Sequence, residues 1–224
     1  MSATAGGGGT LRADLALLAE QVPDGARVLD LGCGSGSLLA WLMAERGCTG
    51  TGVEIDPDKV LRAIRRTLSG SISTPDKVLR AIRRGVPVIE QDVDRGLGEF
   101  ADGSYDVCVL SRTIQTIQRP ERVLREMGRI AGLLIVSVPN FGWWGHRLRL
   151  LGGRMPMSKE LPYSWYDTPN LRFTTLVDLE GLFDTLGFTV VRRFTFTEDG
   201  RRLRTKGVRA NLTAGAAVYV LRPE

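Results

Sequence analysis

Three acidic residues and one glycine-rich turn are the parts of this sequence whose types and spacing could do chemistry. The apolar run Val28-Leu29-Asp30-Leu31 leads into Gly32-Cys33-Gly34-Ser35-Gly36, a turn in which glycines let the main chain approach a ligand. Asp30 stands at the mouth of this turn, Glu54 closes the next apolar run, and Asp92 follows the run after that. Turns of this kind often cradle phosphates, but the spacing here argues otherwise. Only Ser35 separates Gly34 from Gly36, where a dinucleotide fingerprint wants two residues, and no Gly-Lys-Ser/Thr ending completes a triphosphate loop. A fixed carboxylate at Asp30 would repel a pyrophosphate lying a few Å away. A ligand that joins positive charge to a nucleoside suits the position better.

S-adenosylmethionine, with an ammonium and a sulfonium against one carboxylate, is such a ligand. Glu54 is placed to accept hydrogen bonds from both ribose hydroxyls, and Asp92 to receive the adenine amino group. The expected cofactor-binding set is Asp30, Gly32, Cys33, Gly34, Gly36, Glu54, Ile55, Asp92, Val93 and Ser111. Each acid alone also reads as a solvated strand end or a turn cap. It is their order, each at the carboxyl end of a successive strand, that favours a nucleoside site. Standing at strand ends rather than in the core, Asp30 and Glu54 are expected to be replaceable by Ala without loss of fold.

No catalytic residue is assigned. His146, the one histidine, lies beside Arg147 and Arg149 on a short helix-like stretch and reads as structural. With three cysteines, Cys33, Cys48 and Cys108, in no paired spacing, a metal centre is not expected. The thiols read as reduced and the location as cytoplasmic. Trp143, Trp144, Tyr163, Trp165 and Tyr166 could wall a pocket, fill core, or anchor an interface.

The elements that must position these residues alternate. Helical spacing runs from Thr10 to Gln21, broken by Pro23-Asp24-Gly25. Strands are expected at Arg27 to Leu31, Gly50 to Ile55, Val86 to Glu90, Tyr105 to Leu110 and Leu133 to Val138. Helices are expected at Ser37 to Arg46, closed by Gly47, and at Pro120 to Ile130. The alternation predicts an α/β fold with a parallel sheet. Residues 139–173, rich in Gly, Pro and aromatics, form an insertion. A helix from Leu176 to Leu186 and strands at Phe188 to Phe196 and Ala216 to Leu221 follow, the last two as an antiparallel pair joined by a basic hairpin loop. Residues 1–10 read as a flexible tail and 11–224 as one domain.

A repeat accounts for much of the charge. Pro57 to Arg66 recurs unchanged as Pro75 to Arg84, 18 positions on, so that residues 67–84 are an insertion with four basic residues against one acid, +3 of the chain's net +5. The excess therefore reads as a solvated helix face, not a nucleic-acid surface. Both copies should be helical, with proline at the first position and Arg on one face. The sheet has room for one crossover helix, so one copy is expected docked and one peripheral. No apolar stretch approaches the roughly 20 residues of a membrane span, and the first residues do not read as a secretion signal.

From Val28 through Asp106 the pattern resembles class I S-adenosylmethionine-dependent methyltransferases, which implies a Rossmann-like, seven-stranded, mostly parallel sheet with an antiparallel last strand. Leu11-Arg12-Ala13-Asp14-Leu15, Val53-Glu54-Ile55-Asp56, Ser137-Val138-Pro139-Asn140-Phe141-Gly142 and Trp165-Tyr166-Asp167-Thr168-Pro169-Asn170 are similar to the bacterial methionine-biosynthesis family MetW. The resemblance implies an accessory role beside homoserine O-acyltransferase, and the nucleoside site is then expected to sense S-adenosylmethionine. The alternative is an active methyltransferase on a small acceptor. Two features depart from the family: the duplicated helix, and Arg112 where an amide is expected after the fourth strand.

Overall fold

The computed structural model describes residues 11, 13–54, 77–205 and 207–224. The expected tail 1–10, Ile55, the first helix copy 57–66 and the opening of the insertion at 67–76 lie outside the described residues. The chain divides into two compact units.

The first unit comprises Met1–Val109 with Arg129–Gly132. It holds α1 (Ala13–Ala19), β1 (Arg27–Leu31), α2 (Ser37–Arg46), β2 (Thr49–Glu54), α3 (Lys77–Arg83), β3 (Val88–Glu90) and most of β4 (Tyr105–Ser111). β1 is buried from Val28 to Leu31, the continuous apolar run of a strand covered on both faces. It pairs in parallel with β2, Asp30 opposite Gly52, and β2 pairs in parallel with β3, Glu54 opposite Glu90. α2 buries Leu38, Leu39 and Leu42. The glycines of β2 let it come close: a Cβ at Gly50 would stand 2.6 Å from Leu39 Cδ2, and one at Gly52 would stand 2.5 Å from Cys33 Sγ. The helix before β3 belongs to the second copy of the repeat, and its Ala81 is fully buried.

The second unit comprises Leu110–Gly128 with Leu133–Glu224. Its elements are most of α4 (Pro120–Ile130) and of β5 (Ala131–Pro139), then α5 (Trp144–Leu151), α6 (Leu176–Thr185), β6 (Phe188–Phe196), β7 (Arg202–Leu203), α7 (Gly207–Thr213) and β8 (Ala216–Pro223). Thr175 caps α6, its hydroxyl accepting from the Asp178 N–H at 3.3 Å and donating to Asp178 Oδ2 at 2.7 Å. β8 is antiparallel to both β5 and β6, with a bulge between Val190 and Arg192 on β6. Tyr219 on β8 and Arg193 on β6 both donate to Glu180 Oε1, at 2.8 and 2.6 Å.

The strand order is β3-β2-β1-β4-β5-β8-β6-β7, the mostly parallel sheet with an antiparallel last strand that the sequence implies. The strand count is eight rather than seven. The additional strand comes from the expected hairpin loop. Gly200, at φ 77°, lets Thr197 N–H bond Arg201 O at 2.9 Å, which returns the chain along β6 for two residues. Thr195 then faces Leu203, Phe196 faces Arg202, and the Arg202 guanidinium sits 4.7 Å above the Phe194 ring. α7 fills the rest of the connection.

Candidate functional site

The glycine turn joins β1 to α2 in the first unit. Gly32, Gly34 and Gly36 all take positive φ, 75°, 55° and 63°. The N–H groups of Gly32 and Cys33 both bond Val53 O on β2, at 2.7 and 3.1 Å, which fixes the turn to the neighbouring strand. At Gly36 a Cβ would stand 2.8 Å from Ala81 Cβ, so α3 packs directly against the base of the turn. Arg84, just past α3, donates to Ser35 O at 2.7 Å and to Ser37 Oγ at 2.8 Å. This clamp went unread in the sequence, although Arg84 is the last residue of the repeat.

Asp30 stands one residue before the end of β1 and Glu54 is the last residue of β2, but neither is solvated. Asp30 is 3% exposed and Glu54 is 5% exposed. Their expected place outside the core is thus corrected: both are buried. Asp30 Oδ1 has no hydrogen-bond partner among the described residues. Burial first, and the charge of Glu54 second, push the Asp30 carboxyl up to about 7. The Cys33 thiol is held protonated well above its ordinary range by burial, then by Asp30 and Glu54. Cys108, in β4, is raised in the same direction by burial and then by Asp30. Burial and the neighbouring carboxyls disfavour the thiolate form of both residues. Both register a negative potential gathered where β1 and β2 end, a potential that a cation relieves.

Asp92 caps the short 3-10 turn Val93–Arg95, its Oδ1 accepting from Asp94 N–H at 3.0 Å and its Oδ2 lying 3.4 Å from Arg95 Nε. A carboxylate has about four acceptor positions, so capping leaves it capacity. Val93 is buried. Ile55 lies outside the described residues.

Ser111 belongs to the second unit. Its hydroxyl is 3.2 Å from Ser137 Oγ, and Ser137 Oγ also accepts from Arg112 N–H at 2.9 Å. Arg112 takes φ 50°, the one non-glycine residue with positive φ among the described residues, and pairs with Glu160 at 2.7 Å. The residue that departs from the family pattern therefore ties the 139–173 insertion to the end of β4. A small cavity in this unit, about 10 Å³, is lined by Gln115, Val138, Pro139, Phe141, Leu161 and Phe173 among others. None of Trp143, Trp144, Tyr163, Trp165 and Tyr166 lines it.

His146 is fully buried against Trp143 and Phe141, at ring-centroid distances of 5.2 and 5.7 Å. Neither ring nitrogen has a hydrogen-bond partner among the described residues. Desolvation lowers its pKa, against the opposing charge of Glu198. The buried ring packs among aromatic side chains. Among the described residues no cluster of His, Cys, Asp and Glu could hold a metal ion, and no helix is long and apolar enough to cross a membrane.

Against known proteins, the family model described as methionine biosynthesis protein MetW matches residues 12–74 and 69–221. Each match contains one copy of the repeat. A bifunctional methionine biosynthesis protein, MetXA/MetW, of Rhodopirellula baltica is 31% identical over 96% of this chain and 33% of its own length. A second curated relative, from Escherichia coli, is matched over 62% of its length, so the chain spans less than two thirds of either. Among solved structures, an S-adenosylmethionine-dependent methyltransferase from Thermotoga maritima superposes with a TM-score of 0.63 at 20% identity, covering 95% of this chain and 88% of that one. Another from Archaeoglobus fulgidus gives 0.61 at 16% identity, covering 94% and 91%. At these identities the likeness is one of fold.

Proposed function

The chain belongs to the MetW family of methionine biosynthesis proteins, and from that premise we propose that it binds S-adenosylmethionine and supports homoserine O-acyltransferase as an accessory, regulatory subunit in the cytoplasm. The observation that carries the reading is the pair Asp30 and Glu54: two buried carboxylates on neighbouring strand ends, one with an unpartnered oxygen, beside a turn of positive-φ glycines. A buried carboxyl with an unpartnered oxygen is costly to ionise unless something positive joins it. S-adenosylmethionine brings an ammonium and a sulfonium.

In this reading Asp30 offsets the cationic methionine end, with the main chain of Gly32, Cys33, Gly34 and Gly36 alongside. Glu54 accepts from the ribose hydroxyls, with Ile55 next to it. Asp92 receives the adenine amino group and Val93 packs on the base. Charged hydrogen bonds of this kind contribute about 1.5–3 kcal/mol each. The bound cofactor supplies an activated methyl group. No side chain of this chain is assigned an acid or base role toward it, and the reading is of a ligand sensed rather than consumed.

The acyltransferase role is supported by the Rhodopirellula relative, whose one chain is named for both MetXA and MetW. The test is titration calorimetry of S-adenosylmethionine into the pure chain, followed by an acyl-transfer assay of homoserine O-acyltransferase with and without the chain and the cofactor. Binding by the wild type that weakens at least tenfold in Glu54→Gln, with a cofactor-sensitive acylation rate, supports the proposal. No heat of binding, or an acylation rate indifferent to both additions, rejects it. Transfer of a labelled methyl group into a metabolite extract would establish the active methyltransferase instead.

A further inference from the structure

α5 is a helix that does not earn its place by burial. Of its eight residues only His146 is buried. Trp144, Leu148 and Leu151, at i, i+4 and i+7, share one face and are 49%, 57% and 83% exposed. Leu150 and Met155 are also exposed. Single exposed leucines need no explanation, but five large apolar side chains within twelve residues do. A helix of two turns is not stable alone in water. This one is fastened by its other edge: His146 sits edge-on to Trp143, Arg147 Nε donates to Gly142 O at 2.7 Å, and Arg149 Nε donates to Met155 O at 3.2 Å. The apolar ridge is left pointing outward.

Within its own segment the ridge carries one sign of charge, while Glu198, from the connection between β6 and β7, acts on buried His146 at the other edge of the helix. Between Glu126 and Glu160 the sequence holds no Asp or Glu, while Arg147, Arg149 and Arg154 lie along α5 and its exit, all exposed. An apolar helix ridge with arginines beside it matches an apolar groove rimmed with carboxylates, the helix-in-groove mode with anchors at i, i+4 and i+7. In the Rhodopirellula relative, one polypeptide carries both names, and a covalent link keeps two parts at high effective concentration. A neighbour held that close is the occupant such a ridge would seat against.

Resting on the accessory-subunit reading, we propose that the Trp144/Leu148/Leu151 ridge of α5 is the surface by which this chain docks on homoserine O-acyltransferase, seated in an apolar groove with an acidic rim. The arginines steer the encounter and fix the register, and the ridge supplies the anchors.

The experiment measures binding of the purified acyltransferase to wild type, to Leu148→Ser/Leu151→Ser and to Arg154→Glu, at low and high salt, with S-adenosylmethionine affinity recorded for each. Substitutions of exposed side chains are expected to leave the cofactor affinity and melting temperature unchanged. The double variant is expected to bind the acyltransferase roughly tenfold or more weakly, and Arg154→Glu to bind more weakly at low salt only. A complex that forms equally well with all three chains overturns the docking surface and leaves the accessory role standing. No complex with the wild type overturns both. Sedimentation of the wild type as a dimer that the double variant loses would name a second copy as occupant. Retention on phosphatidylserine vesicles that the variants lose would name a membrane. Either result overturns the proposal.

Discussion

Gly36 and Ala81 meet where the glycine turn rests on the crossover helix, with a Cβ on Gly36 only 2.8 Å from that of Ala81 and 3.2 Å from its Cα. Gly36 also takes φ 63°. The turn and α3 therefore hold one another, and the repeat touches the candidate site through this contact and through the Arg84 clamp. Gly36→Ala would incur about 1–2 kcal/mol for the left-handed backbone and about 1–3 kcal/mol for overpacking. A destabilisation of about 2–5 kcal/mol by urea unfolding is expected, with weakened S-adenosylmethionine binding in whatever fraction remains folded. A loss below 1 kcal/mol would show that the turn and helix move apart freely.

The 18-residue repeat offers a deletion with a definite outcome. Removing residues 67–84 joins Arg66 directly to Gly85 and gives the same chain as removing residues 57–74, because the two copies are identical. The single remaining helix then has the natural entry from β2 and the natural exit through Gly85, φ 74°, to buried Val86. Since loop length enters stability only logarithmically, the shortened chain is expected to fold with a stability within about 1 kcal/mol of the full one, or above it. Failure to fold, or a loss beyond about 2 kcal/mol, would mean that the inserted residues carry structural contacts of their own.

Much of this fold was legible because local signals agreed with tertiary need. Ser37–Arg46 lies between two glycines, Pro120 opens α4, and Phe188–Phe196 follows the stop at Gly187; all three elements carry the limits read from the residues. β7 and α7 were not legible. A two-residue strand has no periodicity, and its existence depends on pairing with β6. At the site the order of Asp30 and Glu54 along the chain was readable, but their burial was not, since burial depends on which distant segments cover a strand end. Asn140 falls in the Gly-, Pro- and aromatic-rich insertion, and nothing local marks it or Asn211 as core. Both are buried, for reasons held more than 70 residues apart in sequence.

Asp30 makes the site pH-dependent. The folded carboxyl keeps its proton up to about 7, whereas in the unfolded chain an Asp loses it near 4. Between these values the folded state binds more protons, so Asp30 makes stability fall as pH rises from about 4 to about 7, with no further effect above. Asp30→Asn removes that slope and is expected to be the more stable protein at pH 8. Ligand binding runs the other way. A cationic ligand selects the ionised carboxylate, so affinity for S-adenosylmethionine weakens roughly tenfold per pH unit below 7. At pH 6 binding releases a proton, and the measured heat follows the ionisation enthalpy of the buffer. Equal affinity at pH 6 and pH 8 would rule out Asp30 as the group that meets the positive charge.

Asn140 is the residue on which the second unit's connections converge. Fully buried, it donates from Nδ2 to Asn211 O and to Ala214 O, both at 2.7 Å, and its Oδ1 accepts from Gly142 N–H at 2.9 Å. Asn211 in turn accepts from Leu176 N–H at 3.0 Å, so one amide pair joins the exit of β5, the start of α6 and the end of α7. Asn140→Ala would leave two carbonyls and one N–H buried without partners, at about 1–3 kcal/mol each, and a destabilisation of about 3 kcal/mol or more is expected by denaturant unfolding. Asn140→Asp preserves size and the acceptor for Gly142, but it turns two donated bonds into lone pairs facing carbonyl oxygens. The aspartate is therefore expected to be the less stable of the two variants at pH 8, and to recover toward the alanine value as its carboxyl protonates at low pH. If both variants unfold within 1 kcal/mol of wild type, the insertion is held by its apolar contacts and not by this amide.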